Sequence, residues 1–264
     1  MRRLRGAVAP LVGVVVFFGL WELLLRAFGV KAFVMPTPTH VIGKLADDPG
    51  FFWREGLVTV REALTGLVLA FVAALLVAVP IARSRWLERA VQPIALLITV
   101  IPLVCYAPAF VIWMGPGFRP IAGIAAVVSF VPLMYNLTTG LRAADHDMVD
   151  LLRSAGASRL EVLRHVEIPS ALPDLFAGLR IGVGLSLIGA VIGEWFALVS
   201  HGLGLWIRKA QGSSAGASLV WACAFALGLI GSVSLLALGI AERLLVPGEG
   251  RGRRAGSRPP ASLT

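Results

Sequence analysis

Charge is scarce in this chain of 264 residues: Asp, Glu, Lys and Arg make up 15% of it, where a soluble domain carries roughly a quarter. A surface so poor in charge excludes an ordinary water-soluble fold of this length. Cysteine is scarcer still. The two present, Cys105 and Cys223, lie inside apolar runs, which excludes a disulfide framework and a cysteine metal site. None of the histidines has a partner at metal-ligand spacing: His40 and His201 fall in connections between apolar runs, His146 and His165 in one polar loop. No G-x-x-x-x-G-K-[ST] phosphate loop occurs, Gly43-Lys44-Leu45 being the nearest fragment and lacking the pattern. The chain therefore carries no recognisable ATPase motif of its own.

What it has in abundance is apolar sequence, 57% of residues with a mean hydropathy of +0.83. Windows of about 18 or more apolar residues predict six membrane spans, near residues 7–25, 57–82, 91–114, 120–137, 175–199 and 218–241. The expected fold is all-α and polytopic, a membrane domain over 1–246. Pro93, Pro102 and Pro108 fall in the third span, which is expected to kink rather than break, because neighbouring helices can satisfy the freed carbonyls. The opening Met-Arg-Arg-Leu-Arg looks like a secretory signal. Its long apolar stretch and the absence of a small-residue cleavage site around Trp21–Arg26 favour an uncleaved first span instead.

A formal net charge of +9 raises nucleic-acid binding, and the distribution of charge argues against it. With the N-terminus inside, two thirds of the 24 Lys and Arg residues fall on cytoplasmic segments, the bias expected of a membrane protein with both termini inside. Residues 247–264, rich in Gly, Arg and Pro, read as a disordered basic cytoplasmic tail near anionic lipid. Trp21, Trp53, Trp86, Trp113 and Trp206 lie near span ends, where aromatic belts sit, while Trp195 and Trp221 suit either the interface or a pathway.

The polar connection 138–174, between the fourth and fifth spans, is full of helix punctuation. Asp147 is expected to cap a short helix through Arg153, with Asp150 as its acidic partner and Gly156 ending it. Ser158-Arg159-Leu160-Glu161 is a second capping box, starting a helix that Pro169 is expected to stop, with Ser170 and Pro173 opening the fifth span. Leu151, Leu152, Leu160 and Leu163 give this hairpin more apolar surface than a solvated loop needs. Either it packs on its own bundle or something docks on it.

Asp150-Leu151-Leu152, three residues, Gly156, nine residues, then Val166-Glu167-Ile168-Pro169 resembles the EAA loop of binding-protein-dependent ABC importer permeases, E-A-A-x3-G-x9-I-x-L-P. Met35-Pro36-Thr37-Pro38-Thr39, Trp113-Met114-Gly115-Pro116-Gly117, Gly178-Leu179-Arg180 and Gly193-Glu194 followed by Gly202-Leu203-Gly204 extend the likeness over roughly residues 30–245. It is most similar to the nitrate, sulfonate and taurine class, which includes relatives for thiamine-pyrimidine precursors. The departures are Asp150 for Glu, leucines for both alanines, and no basic residue at Leu103 or Val104.

The resemblance implies the type I importer permease fold and a transport subunit rather than an enzyme. It implies that Asp150, Leu151, Leu152, Gly156, Ala157, Ser158, Leu160, Leu163, Ile168 and Pro169 couple to a cytoplasmic ABC ATPase dimer, ATP and Mg being bound there and no cofactor here. It also implies a second permease copy, most simply a homodimer, an extracytoplasmic solute-binding protein, and a bacterial inner-membrane location. The solute expected is a small organic anion such as a sulfonate, taurine or nitrate, with a thiamine-pyrimidine precursor or other small nutrient as the alternative.

Glu194 is the sharpest candidate inside a span, because a carboxylate in an apolar helix is costly unless it faces a cavity or a partner. Its readings are the translocation pathway or its gating, with Ser186, Gly182 and Gly189 on the same helix, a structural bond to Trp206 or a backbone group, or simply a place near the external interface. Gly182, Gly184, Gly189 and Ser186 also suit a close helix approach, and Arg180 suits anchoring. Two other classes remain as rivals. An intramembrane enzyme would need Ser186 and His201 to act together, 15 residues apart and without a nucleophile turn. An ion-driven secondary transporter would suit six spans and one buried acid.

Overall fold

The computed structural model describes residues 2–213 and 216–246, with side chains from residue 12 onward. The basic tail expected from 247 lies outside the described residues. Among these residues every regular element is helical.

Helix α1 (Arg2–Ala27) is followed by the short α2 (Pro38–Asp47). Thr37 caps α2 by accepting from the His40 N–H, and Pro38 occupies the first turn, where its missing donor costs nothing. Glu22 of α1 accepts from both the Thr39 N–H at 3.1 Å and the Thr39 hydroxyl at 2.8 Å. The Met-Pro-Thr-Pro-Thr segment is thus a capped helix start clipped onto α1.

Helix α3 (Pro49–Arg83) is 35 residues long, about 52 Å at 1.5 Å per residue, and exceeds a hydrocarbon core of about 30 Å. Its buried stripe includes Ala63, Gly66, Ala70, Ala74 and Ala78, small residues at intervals of three and four. That spacing lets α6 (Phe118–Arg142) and α9 (Ile168–Phe196) pack closely with it. A Cβ on Gly66 would come within 2.8 Å of the Ala122 carbonyl, and one on Gly189 of α9 within 2.7 Å of the Ala125 Cα. Helices α3, α6 and α9 form the core, with Leu67, Leu133, Met134 and Val183 packed between them.

The third expected span is broken. Helices α4 (Arg85–Val100) and α5 (Leu103–Met114) meet at an angle of 100°. Pro102 holds Ile101 in an extended conformation, ψ 123°, and has no N–H to give to the Ile98 carbonyl. The Tyr106 hydroxyl donates to that carbonyl instead, at 2.9 Å, so the break is satisfied rather than strained. Pro93 and Pro108 lie inside α4 and α5 without ending either. The Gly115 and Gly117 turn that follows has positive φ at both glycines, and the Gly117 N–H donates to the Ala197 carbonyl at 2.8 Å.

Two further expectations are corrected in the connection after α6. Asp145, not Asp147, caps α7 (His146–Ser154), its carboxylate accepting from the Asp147 N–H at 3.0 Å. Pro169 does not stop the helix begun by the Ser158–Glu161 capping box. Helix α8 (Arg159–Val162) passes through a π turn at Leu163–Glu167 into α9. The Ile168 N–H reaches back to the Leu163 carbonyl, and that extra residue in the turn widens the helix where the Pro169 ring would otherwise collide. Pro173 consequently lies inside α9 rather than at its start.

Helix α10 (Leu203–Ala210) and α11 (Gly216–Leu245) follow, and are the last elements among the described residues. Among the described residues, four helical stretches are long and apolar enough to cross a membrane: α3, α6, α8–α9 and α11; the bent pair makes a fifth if it is one span. Large apolar side chains face outward from these helices, including Leu64 and Val68 on α3 and Leu229, Val233 and Leu236 on α11. In water such a surface would aggregate; in a bilayer it is the solvent-matched face.

Candidate functional site

At one end of the bundle the α7–α8 hairpin is held from behind and free in front. Val149, Val162, Val166 and Ala144 form a small core of their own, with Leu152 and Ala157 packed against it. Leu163 belongs to the next cluster, with Ala78, Leu137, Leu141 and Ala171. Leu151 and Leu160 stand 63% and 71% exposed, beside the half-exposed Met148. The four leucines expected to give the hairpin its apolar surface are therefore split, because consecutive residues on a helix point about 100° apart. Leu151 and Leu160 face out; Leu152 and Leu163 anchor the hairpin.

Gly156 turns the chain with φ +85°, a conformation that a side chain rarely accepts. Ser158 and Glu161 form the reciprocal capping box: the Ser158 N–H donates to the Glu161 carboxylate at 2.6 Å, and the Glu161 N–H donates to the Ser158 hydroxyl at 3.3 Å. Asp150 is exposed, with Arg153 at 4.0 Å, and Ile168 and Pro169 are also exposed.

Two arginines tie this end to the core. Arg83, the last residue of α3, pairs with Glu167 of the π turn at 3.1 Å. Arg142, the last residue of α6, grips both Glu88 oxygens at 2.9 Å and also donates to the Ile81 and Ala82 carbonyls at 2.9 and 3.3 Å. It thereby joins α6 to α4 and satisfies the open C-terminal carbonyls of α3. These bonds link the π turn to α3, and α3 to α4 and α6.

The opposite end holds a cluster that sequence reading grasped only in part. Glu194 is fully buried. It accepts from the Thr59 hydroxyl at 2.6 Å and from the Leu205 N–H at 3.1 Å. Thr59 in turn accepts from the Leu203 N–H at 3.0 Å. Glu55 accepts from the Gly202 N–H at 2.8 Å, with Arg54 and His201 Nδ1 each 3.2 Å from its other oxygen. Glu62 lies one turn beyond Thr59 on α3, 2% exposed, with no hydrogen-bond partner for its Oε2 among the described residues.

Glu55, Thr59 and Glu62 recur at intervals of four and three, one face of a helix, and that periodicity is the signal by which the sequence could have shown them. Gly202-Leu203-Gly204 is the lid of this cluster. A Cβ on Gly202, whose φ is +122°, would strike the Glu194 carboxyl group, and one on Gly204 would lie 2.9 Å from its Oε2.

The other residues expected along a pathway are packed within the chain. Gly182 faces Leu67 and Leu133, Gly189 faces Ala125, and the Ser186 hydroxyl donates to the Val183 carbonyl at 3.0 Å. Glu194 has a backbone partner, as its structural reading required, in Leu205 rather than Trp206. Arg180 pairs with Glu242 of α11, which makes it an anchor between helices. Ser186 and His201 are not brought together: Ser186 is bonded within α9 and His201 sits on Glu55.

Comparison with known proteins gives these features a context. The family described as "Binding-protein-dependent transport system inner membrane component" matches residues 66–248. The riboflavin transport system permease protein RibX of Chloroflexus aurantiacus is 34% identical over 228 residues, 86% of this chain and 84% of that protein. The formylaminopyrimidine transport permease protein ThiX of Halalkalibacterium halodurans is 28% identical, covering 94% of this chain and 98% of that one. The taurine transport system permease protein TauC of Escherichia coli is 28% identical, covering 89% and 87%. Among solved structures, inward-facing MetNI methionine ABC transporter superposes with a TM-score of 0.59 at 16% identity, covering 71% of this chain and 94% of that one. An amino acid ABC transporter gives 0.56 at 19% identity, covering 76% and 95%, a likeness of fold.

Proposed function

The chain belongs to the binding-protein-dependent transport system inner membrane components, a multi-pass permease of an ABC importer for a small solute, and from that premise we propose how it is driven and what it carries. The exposed Leu151–Leu160 face, on a hairpin packed from behind and tied by Arg83 to Glu167, is the single observation that carries the mechanism. A separate cytoplasmic ATPase takes that face. Closure of two ATPases moves two hairpins together, and contacts that differ between the two states supply the drive. The hairpin end, and with it both termini, is then cytoplasmic. Two copies of the chain enclose one pathway, and an external binding protein delivers the solute at the Glu194 end.

In this reading Gly182, Ser186, Gly189 and Glu194 set how α9 packs on α3 and α6, so they move with the pathway. The solute is a small nutrient. The 34% identity to a riboflavin permease and the nearly full-length match to a formylaminopyrimidine permease favour a flat nitrogen heterocycle over a sulfonate. The match to a taurine permease supports the small organic anion as a second reading. Uptake into proteoliposomes carrying this chain, its ATPase and its binding protein tests both levels. Uptake that needs ATP at a held membrane potential is the expected result, with a heterocycle outcompeting taurine. Uptake that follows an ion gradient without ATP would overturn the mechanism.

A further inference from the structure

Behind the exposed face of the hairpin lies a cavity of about 840 Å³, open to one side and bounded by the ends of α3 and α6, the start of α4, and α7–α8. Arg83, Arg85, Arg142, Arg153 and Arg159 line it, one from each of five elements, against the carboxylates of Asp150 and Glu167. Three of these arginines have acidic partners: Arg83 has Glu167, Arg142 has Glu88, and Arg153 has Asp150 at the limit of 4.0 Å. Arg85 and Arg159 have no carboxylate at ion-pair distance among the described residues. Two guanidinium groups lining one space without acidic partners, beside three that are paired, give it a positive potential that favours an anion.

The location narrows the anion. Arg83 and Arg142 are the last residues of their membrane helices, so the cavity sits where the apolar span gives way to water. Trp86, 74% exposed beside Arg85, stands at that boundary as interfacial tryptophans do. From Trp86 the exposed apolar residues Ile94 and Leu97 follow along α4, with Ile101 just past its end, at spacings of eight, three and four that keep them on one side of the helix. A phosphate held at the arginines would leave a hydrocarbon chain free to lie on that side, which a soluble anion would not use.

We propose that this cavity binds a phosphate-bearing anion, supplied by the headgroup of an anionic phospholipid, behind the hairpin that moves in transport. Guanidinium groups suit the task because they meet phosphate oxygens with paired donors. The bound headgroup would join α7–α8 to α3, α4 and α6, so its presence stiffens the connection through which the hairpin moves the bundle. The site stands independently of the solute carried.

The purified full chain in a neutral detergent is titrated with phosphatidylglycerol, with phosphatidylcholine and with inorganic phosphate, following the unfolding midpoint and the retained lipid by native mass spectrometry. Phosphatidylglycerol is expected to bind and to raise the midpoint, phosphatidylcholine to do neither. Arg85→Gln and Arg159→Gln are exposed and remove no ion pair, so each is expected to fold normally and to weaken phosphatidylglycerol about fivefold. Lys44→Gln, at the opposite end, is expected to leave binding unchanged. An equal response to inorganic phosphate would overturn the lipid source and leave a soluble phosphate site. Equal affinity for both lipids, or full affinity in the double arginine variant, would overturn the site itself.

Discussion

The Thr59 hydroxyl donates to Glu194 across 2.6 Å while accepting the Leu203 N–H at 3.0 Å, so one side chain of α3 holds both the end of α9 and the turn that follows it. Thr59→Val keeps the shape and removes both bonds. It leaves a buried carboxylate short of a donor and a buried amide without an acceptor, each costing about 1–3 kcal/mol. The unfolding midpoint is expected to fall by about 2–4 °C for each kcal/mol lost. Thr59→Ser, which retains the oxygen, is expected to lose no more than about 0.8 kcal/mol, the value of one methyl-sized group. Equal midpoints for the two variants would show that the bonds contribute nothing.

Two glycines separate close approach from composition. Gly202 has φ +122° and its absent Cβ would occupy the Glu194 carboxyl group, whereas Gly184 lies inside α9 with nothing within 4 Å. Gly202→Ala is expected to destabilise by at least about 1–3 kcal/mol, the cost of a strained backbone position. Gly184→Ala is expected to be neutral or to stabilise by up to about 1 kcal/mol through helix propensity. Thermal unfolding of both variants in the same detergent checks the contrast.

Local signals were legible in the sequence and three-dimensional ones were not. The Ser158–Glu161 box, the Gly156 turn and the apolar runs all act within a few residues, and each shows in the chain as it shows in the fold. Glu194 stood out because it interrupts an apolar run. Glu55 and Glu62 escaped notice, since the Gly202 turn that bonds Glu55 is 147 residues away along the chain and only folding brings it to this face of α3. Pro169 misled for a different reason: proline excludes an ordinary α turn, and a π turn supplies the space that an α turn lacks.

The break at Ile101–Pro102 rests on one compensating bond, which makes its own prediction. Tyr106→Phe removes the hydroxyl that serves the Ile98 carbonyl and changes nothing else in shape. A loss of about 1 kcal/mol is expected, the net value of a typical hydrogen bond. If the break were held by proline geometry alone, the phenylalanine variant would unfold at the parent midpoint.

The hairpin makes the sharpest demand, because its two leucine pairs are expected to fail in different ways. Leu151→Asp and Leu160→Asp alter side chains that are mostly exposed, so the unfolding midpoint of the isolated permease should stay where it is. If an ATPase buries that face, the loss of about 1.5–3 kcal/mol per leucine predicts association about 10- to 100-fold weaker, with ATP hydrolysis no longer stimulated by the loaded binding protein. Leu152→Ala, by contrast, hollows the small Val149–Val162–Val166 core and should lower the midpoint first. Affinity of the ATPase for each purified variant, measured beside its unfolding midpoint, separates the two outcomes. Full affinity in Leu151→Asp with Leu160→Asp would remove the hairpin face from the path by which nucleotide hydrolysis reaches the bundle.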